Sequence, residues 1–386
     1  MDAVPVPVLV LFGPTASGKT NVLLRLFDHG AEVISADSMQ VYRGMDIGTA
    51  KPSAQEREKL PHHLIDIRNP DEQFNAGDFV RLALEAIADI ARRGAFPVVC
   101  GGTGFYLKNL ILGLPESPPA DAEIRAALKS ELQEKGPVAL MEELARGDPV
   151  SARRIHINDT YRLLRALEVL RLSGRPLSSF GVSGQNPVSN LTTEDTEFHG
   201  GKMVFVSKTP RCPQDGRCPQ DSGTPWLINS EVNCRFLVVG LSRPREELYR
   251  RIDARCAAMF AQGLPGEVRR LYDMGYTPRD PGLRAIGYRE FFVQEESSGS
   301  FKPGGSFEPG SSFEPGGSFE PGGSFEPRYR LSRDIAGVQA LVAQNSRRYA
   351  KRQITFFSAL PGVQWLEAGE DDAETAERLH EFITTE

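Results

Sequence analysis

Several kinds of residue and segment are scarce in this chain, and each shortage excludes a class of protein. The 386 residues include only five cysteines, too few and too scattered for a disulfide framework. No apolar run is long enough to cross a bilayer, and no basic segment precedes the first apolar run as it would in a signal peptide. We therefore expect a cytoplasmic protein that does not associate with a membrane.

The sequence also lacks an excess of positive charge. Its formal net charge is −6, which argues against a uniformly basic surface that coats nucleic acid. Local basic clusters are still allowed, because acidic segments such as 367–386 offset them in the total. Hydrophobic residues make up 40% of the chain, which is typical of a globular protein, and the length allows two or three domains.

Short β-rich runs alternate with helical patterns over the first third of the chain. The runs predict strands at 6–12, 32–36 and 96–100 and helices at 19–29 and 77–93. This alternation is typical of an α/β fold with a parallel sheet and helical crossovers. We place the first part of this core at residues 1–115.

The rest of the chain divides by composition into five segments. We expect a helical insertion at 116–180, a loop insertion of low order at 181–233, the second part of the core at 234–295, a disordered repeat at 296–327 and a helical part that returns to the core at 328–386. Each unit of the repeat, Phe-Glu-Pro-Gly-Gly-Ser, has a single apolar residue and cannot build a core. We therefore expect a linker there and not a solenoid.

The last segment and the stretch before the repeat have predicted elements of their own. We expect a strand at 235–241, helices at 245–261 and 328–357, and a short strand at 363–366. Pro and Gly at 262–267 interrupt the place where another helical turn would be expected.

A phosphate-binding loop is the strongest chemical signal. It consists of Gly13, Pro14, Thr15, Ala16, Ser17, Gly18, Lys19 and Thr20. The motif follows a predicted strand and opens a predicted helix, which is the context that a P-loop requires. Its backbone N–H groups can bind phosphate oxygens, Lys19 adds a charge, and the Thr20 hydroxyl suits Mg²⁺. We therefore predict a P-loop NTPase-like parallel sheet core, with the helical insertion attached to it.

The usual partner of a P-loop in nucleotide hydrolysis is missing. Hydrolases and many kinases hold Mg²⁺ with an Asp after an apolar strand. Here the best such strand, 96–100, runs into Gly101-Gly102-Thr103-Gly104, and Asp66 is only a weak substitute. This argues against nucleotide hydrolysis, although a P-loop nucleotide or small-molecule kinase stays the alternative.

Two polar residues, Asp37 and Thr103, follow predicted strands and should lie at the same sheet edge as the P-loop. Asp37 can accept a proton or hold a metal, and the Thr103 hydroxyl can bind a ligand that approaches the glycine loop. Each also has a structural alternative, since Asp37 suits a helix N-cap or a turn and the glycines suit a tight turn.

Basic residues cluster at two places with helical spacing. Arg162 and Arg165 are three residues apart and share a helix face. A second stripe consists of Arg347, Arg348, Lys351 and Arg352. Such stripes are often solvated faces, so charge alone leaves contact with nucleic acid open.

Taken together, the motifs resemble the tRNA dimethylallyltransferase family, also called tRNA isopentenyltransferases. The matching stretches are GPTASGKT at 13–20, SADSMQVYRGMDIGTAKP at 35–52, HHLID at 62–66, GGTGFYLKNL at 101–110, RIHINDTYRLLRALEVLRLSGRPLS at 154–178, LRAIGYRE at 283–290 and YAKRQITFF at 349–357. They run in the family's order across most of the chain. The long segment at 181–233 and the repeat depart from the family pattern.

The resemblance implies an activity: transfer of a dimethylallyl group from dimethylallyl diphosphate to N6 of the adenosine at tRNA position 37, next to the anticodon. It implies that the P-loop and Mg²⁺ hold the donor's diphosphate, that Asp37 is the general base, and that Thr103 lies near the transferred group. We also expect the insertion at 116–180 to bind the anticodon stem-loop, and the chain to act as a monomer. The positions that match tRNA-contacting segments of the family are Asp37, Ser38, Met39, Gln40, Thr103, Arg125, Tyr161, Arg162, Leu163, Leu164, Arg165, Leu283, Arg284, Ala285, Ile286, Gly287 and Tyr288.

Overall fold

The computed structural model describes residues 5–180, 197–199, 202–204, 233–295 and 328–385, apart from Asp28, Glu116, Pro361 and Glu370. The loop insertion predicted at 181–233 therefore lies outside the described residues except for its two short strands and residue 233. The predicted repeat at 296–327 lies wholly outside them.

The strands and helices of the described residues alternate along the first third of the chain, as the sequence predicts. The strands are β1 (Val6–Phe12), β2 (Ala31–Ser35), β3 (His62–His63), β4 (Phe96–Gly101), β5 (Glu197–His199), β6 (Lys202–Val204), β7 (Cys234–Ser242), β8 (Phe292–Gln294), β9 (Tyr329–Leu331) and β10 (Gln364–Glu367). The helices are α1 (Lys19–Leu26), α2 (Ala54–Lys59), α3 (Ala76–Arg92), α4 (Gly104–Leu112), α5 (Ala122–Gly147), α6 (Pro149–Arg154), α7 (Thr160–Ser173), α8 (Arg245–Ala261), α9 (Leu264–Asp273), α10 (Ile335–Phe357) and α11 (Asp372–Thr385). None of these helices is long and apolar enough to span a membrane.

The central sheet has six strands in the order β10-β7-β1-β4-β2-β3, and all neighbouring strands are parallel. Alternate side chains of β1 enter two different cores. Val8, Val10 and Phe12 pack with α3 and α4 on one face, whereas Leu9 and Leu11 pack with α1 and α11 on the other. Because both faces are covered, β1 is a continuous apolar run and not an alternating one. This confirms the predicted α/β class.

The carboxyl ends of three neighbouring strands carry the loops that matter for chemistry. The P-loop follows β1, Asp37 follows β2, and the glycine loop follows β4. The ends of β2 and β4 lie so close that a Cβ on Gly101 would come within 2.2 Å of the Ala36 carbonyl oxygen. The absence of a side chain at Gly101 therefore lets the two loops approach each other.

The helices α5, α6 and α7 form the expected helical insertion around a small core of their own. Leu128, Leu140 and Leu144 of this region pack against Leu163 and Leu167. The long helix α5 is kinked where Gly136 adopts a left-handed conformation just before Pro137. Asp121 accepts a hydrogen bond from the Ile124 N–H and caps the helix.

Two predicted helices differ from the structure in their bounds, and the bounds of a third helix were not predicted. The helix expected at 19–29 ends at Leu26. The helix expected at 328–357 begins only at Ile335, because Asp334 caps it and Tyr329–Leu331 forms a strand that pairs with β8. The acidic end of the helical part expected at 328–386, for which no bounds of a helix were given, contains α11. Its Ala376, Leu379 and Ile383 have helical spacing and pack in the core that α1 also lines.

A third core joins α8, α9 and α10 to the loop that follows β2. The interruption predicted at 262–267 is the boundary between α8 and α9, where Gly263 adopts a left-handed conformation. One turn later, Glu267 is buried and accepts hydrogen bonds from the N–H groups of Asp46, Ile47 and Gly48 at 2.8–3.1 Å. Its carboxylate also accepts a bond of 2.6 Å from the Tyr288 hydroxyl. Glu267 thus ties the 46–48 turn to the helical part of the core.

Replacing this buried carboxylate should destabilise the protein more than replacing its tyrosine partner. Glu267→Ala leaves three backbone N–H donors and one buried hydroxyl without this acceptor, and we expect a loss of about 3 kcal/mol. Tyr288→Phe removes only one of the four donors and should cost about 1 kcal/mol. Urea unfolding of both variants measures the two losses; equal losses would contradict the assigned role of Glu267.

Candidate active site

Lys19 lies at the centre of the P-loop and is bound by its own loop. Its Nζ atom donates to the carbonyl oxygens of Gly13 at 2.9 Å and Pro14 at 3.0 Å. Burial, and to a smaller extent the nearby Arg255 charge, lower the pKa of Lys19 to about 8, while Asp37 opposes the shift. A desolvated ammonium at the N-terminus of α1 is suited to bind an anion, which would supply the charge that burial removes.

Arg255 brings a second cation to the same place. Its Nη1 atom donates to the Thr15 hydroxyl oxygen at 2.5 Å, and burial lowers the pKa of its guanidinium. The residue comes from α8, far along the chain, and our sequence analysis missed it. The only available signal was one arginine among several in that helix, with no motif to distinguish it.

Asp37 and Thr103 lie after the ends of the neighbouring strands β2 and β4, and Thr103 contacts Ser38, the residue next to Asp37. One carboxylate oxygen of Asp37 accepts from the Met39 N–H at 2.9 Å, which forms a turn. The Thr103 hydroxyl oxygen accepts from the Ser38 N–H at 3.0 Å. Asp37 therefore has the turn role that was considered as its alternative, and Thr103 holds this turn through Ser38. Asp37 also lines a cleft, together with Thr15, Lys19, Thr20, Gln40, Tyr349 and Gln353.

Helix α10 closes the cleft with two residues one turn apart. The Gln353 side chain accepts from the Thr15 N–H at 3.0 Å and donates to the Gly102 carbonyl oxygen at 2.7 Å, so it bridges the P-loop and the glycine loop. Burial, and then the charge of Asp37, raise the pKa of Tyr349 to about 12, and its hydroxyl hydrogen bonds with Thr103 and Gln353. The motif at 349–357 was noted in the sequence, but these roles were not predicted.

Asp66, the weak substitute for a metal-binding Asp, is not directed at the cleft. It pairs with Lys51 at 2.6 Å and with Arg57 at 3.1 Å. Among the described residues, no three His, Cys, Asp or Glu side chains form a group that could hold a metal. The described residues therefore contain no metal site made of clustered acidic side chains.

The residues expected to contact tRNA divide into exposed and buried ones. Tyr161 is 71% exposed, and Arg162 and Arg284 also lie on the surface. By contrast, five of these residues have buried side chains: Leu163, Leu164, Leu283, Ala285 and Tyr288. In this structure such side chains are not available to RNA, and Tyr288 instead donates to Glu267. The side chains of these five residues pack inside the protein, and their contact with tRNA stays a prediction.

Arg125 and Arg165 share one buried partner. Glu168 of α7 accepts from Arg125 at 2.7 Å and from Arg165 at 3.0 Å, and its side chain has no exposed surface. Arg165 also donates to the Pro118 carbonyl oxygen at 2.5 Å. These bonds tie the start of the helical insertion to α7, so Arg165 braces this region.

Comparisons with known proteins give a consistent result. A family model described as IPP transferase matches residues 40–198 and 214–359. A tRNA dimethylallyltransferase of Geobacter sulfurreducens is 37% identical over 361 residues, which cover 93% of this chain and 91% of that protein. The corresponding protein of Geobacter metallireducens is 38% identical over 361 residues, with 93% and 92% coverage.

Solved structures of similar proteins give the same result. The full-length tRNA isopentenylpyrophosphate transferase from Bacillus halodurans is 30% identical, with 98% of this chain and 96% of that chain covered and a TM-score of 0.54. A eukaryotic dimethylallyltransferase acting on tRNA is 22% identical, with 98% and 80% coverage and a TM-score of 0.66. At that identity, the second likeness shows a shared fold.

Lys19 and Arg255, the two cations at the P-loop, should bind a diphosphate. We expect Lys19→Ala and Arg255→Ala each to weaken binding of inorganic pyrophosphate by about tenfold or more, since each removes a charge-assisted hydrogen bond. Isothermal titration calorimetry measures the change. Arg250→Ala is the matched control, because Arg250 is an exposed arginine of the same helix as Arg255. Equal losses in all three variants would show a non-specific charge effect and contradict the site.

Proposed function

This chain belongs to the IPP transferase family, whose relatives are tRNA dimethylallyltransferases, and we propose that its cleft performs their reaction on the residues described above. The chain is a prenyltransferase that moves a dimethylallyl group to N6 of the adenosine at tRNA position 37. The observation that carries the assignment of residues is that Lys19, Thr20 and Asp37 line one cleft. The alternative of a nucleotide or small-molecule kinase is not favoured.

The P-loop side of the cleft would bind the diphosphate of the donor. When the allylic C–O bond breaks, its electron pair goes to the diphosphate oxygen, and the charge on that group grows. Lys19, Arg255 and the N–H groups of the P-loop are already in place beside it, so they stabilise this charge without a large rearrangement. The same bonds explain why a P-loop serves a prenyl donor, since the loop recognises phosphate oxygens and not a nucleoside.

Mg²⁺ fits this side of the cleft. The Thr20 hydroxyl lines it at the start of α1, and Mg²⁺ is usually held by one or two protein oxygens, with phosphate and water oxygens completing its shell. Thr20 would hold the ion, and the ion would supply additional positive charge to the diphosphate. A cluster of acidic ligands is not needed for this arrangement.

The β2–β4 side of the cleft would receive the adenine. The N6 lone pair attacks the allylic carbon and forms the new C–N bond, and a proton must leave the nitrogen. Asp37 is the group that would accept this proton, because it has one carboxylate oxygen bound to Met39 and one further oxygen. The Thr103 hydroxyl lies on the neighbouring strand end and is held by Ser38, so it would position the base.

A basic groove next to the glycine loop would carry the RNA backbone. Lys108 of α4 and Arg348, Lys351 and Arg352 of α10 line a groove of about 890 Å³. Phe356, which lines the groove, packs against Gly104 of the glycine loop, where a Cβ would come within 2.4 Å of its ring. Its positive charge would bind phosphates close to the point where an extruded adenine enters the cleft. Local clusters of this kind explain how a protein with net charge −6 can bind tRNA.

The expected cytoplasmic location and monomeric state stay predictions. We propose that the helical insertion binds the anticodon stem-loop, with the exposed residues Tyr161 and Arg162 in contact with it.

Asp37→Asn tests the general base. Asparagine keeps the acceptor for the Met39 N–H and hence the turn, but it cannot accept the proton. We expect turnover to fall by about a hundredfold or more. Single-turnover assays with radiolabelled dimethylallyl diphosphate measure the loss, and unchanged tRNA affinity is the control. Turnover near that of the unaltered protein would remove Asp37 from this role.

Arg162 and Arg171 form a matched pair on α7 for testing the RNA surface. Arg162 is 74% exposed and pairs only with Asp159 among the described side chains, whereas Arg171 is bound by Glu131 and Glu143. We expect Arg162→Ala to reduce the salt dependence of tRNA binding by about one unit, as for one lost phosphate contact. Arg171→Ala should lower the melting temperature and leave the salt dependence unchanged. If the two variants exchange these effects, the RNA lies elsewhere on the insertion.

A further inference from the structure

The carbonyl side of the P-loop is held by two arginines. The Nε atom of Arg251 donates to the Ala16 oxygen at 3.1 Å, and the Nε atom of Arg243 donates to the Ser17 oxygen at 3.1 Å. In a P-loop the N–H groups converge on the anion, so these carbonyl oxygens face the opposite way. The loop needs such support, because Ala16 and Gly18 both have a left-handed backbone, which is strained for an alanine.

Both arginines are in turn bound by a single carboxylate from the C-terminal helix. One oxygen of Asp372 accepts from Arg251 at 2.8 Å and from Arg243 at 3.2 Å. Its other oxygen accepts from the side chain of Asn21, in the first turn of α1, at 2.8 Å. The Arg243 side chain has no exposed surface, and Asp372 is 14% exposed. Asp372 therefore connects three groups that surround the P-loop.

The position of Asp372 depends on α11 as a whole. The helix packs its apolar residues in the core that α1 lines, and its first residue lies directly against the loop. A Cβ on Gly18 would come within 2.5 Å of the Asp372 oxygen. This contact lies beyond residue 359, where the match to the family model ends.

We propose that Asp372 is a positioning residue for the diphosphate site, which it maintains through Arg243 and Arg251. The proposal rests on the proposed function in one respect, namely that the ligand of the P-loop is a diphosphate. Asp372 keeps the guanidinium groups directed at the Ala16 and Ser17 oxygens, so that the loop's N–H groups stay arranged for the anion before it arrives. Glu247 also pairs with Arg243, at 2.9 Å, but it has no bond to α1 among the described contacts.

The charge and the geometry of Asp372 have opposite effects on anion binding. A negative charge behind the P-loop repels a diphosphate, so removing that charge alone would strengthen binding. If Asp372 acts by positioning the loop, removing it weakens binding instead. The direction of the change therefore distinguishes a positioning role from a simple contribution to local charge.

The test compares two neighbouring residues of the full-length protein. Asp372→Asn removes the charge and one of the two acceptor oxygens that hold Arg243, Arg251 and Asn21. Asp371→Asn removes the same charge from an exposed residue that only caps α11. We expect Asp372→Asn to weaken binding of inorganic pyrophosphate with Mg²⁺ by about tenfold, as is usual when a residue that holds a binding group is lost. The KM for dimethylallyl diphosphate should rise in parallel, while the KM for tRNA and the properties of Asp371→Asn stay unchanged.

Three results would overturn the proposal: unchanged or tighter pyrophosphate binding by Asp372→Asn, an equal loss in Asp371→Asn, or an equal rise in both KM values. A failure of the proposed function gives a different result, because then the unaltered protein itself does not bind pyrophosphate. If Asp372→Asn does not fold, Asn21→Ala serves as the second variant. It changes no charge, lies on the exposed side of α1 and removes one of the bonds of Asp372, so a weaker loss of about threefold is expected; no loss would overturn the proposal.

Discussion

The desolvated positive charge of the P-loop is the constraint on which the rest of the structure depends. Lys19 lines the cleft and Arg255 binds the Thr15 hydroxyl beside it, and burial lowers the pKa of both side chains. Cations in such a position are costly unless dipoles or an anion compensate them. The carbonyl oxygens of Gly13 and Pro14 and the hydroxyl of Thr15 provide this compensation here. In the proposed complex, the two phosphates of a diphosphate would replace these weaker hydrogen-bond partners of Lys19 and Arg255.

Around this charge, residues from distant parts of the chain hold the loops in place. Gln353 from α10 bridges the P-loop and the glycine loop, and Glu267 from α9 holds the turn at 46–48. Arg243 and Arg251 from the region of α8 bind the outer side of the P-loop. Such contacts arrange the cleft before a substrate binds, which reduces the reorganisation that the reaction requires.

On the helical insertion, which we propose binds RNA, the positive charges are local and partly neutralised by acidic side chains. Arg125 and Arg165 are bound to the buried Glu168, whereas Arg162 extends into solvent. In the proposed complex, a protein with net negative charge would thus offer local cations to the RNA. The apolar residues of the same motif, such as Leu163, pack inside the insertion and give these cations a rigid support.

The sequence by itself determined the α/β class, the P-loop, and the meeting of Asp37 and Thr103 with it, because these features depend on local patterns. A glycine motif between a strand and a helix, and polar residues after parallel strands, lead to the same sheet edge in any such fold. Only the tertiary structure decided the roles of Arg255, Gln353, Glu267 and Asp372. Each is one polar residue in an ordinary helix, more than 200 residues from the loop it contacts, and nothing in its local sequence indicates the partner. Burial likewise decided which motif residues can touch RNA, since Tyr161 and Leu163 are two positions apart on α7 but only one of them faces solvent.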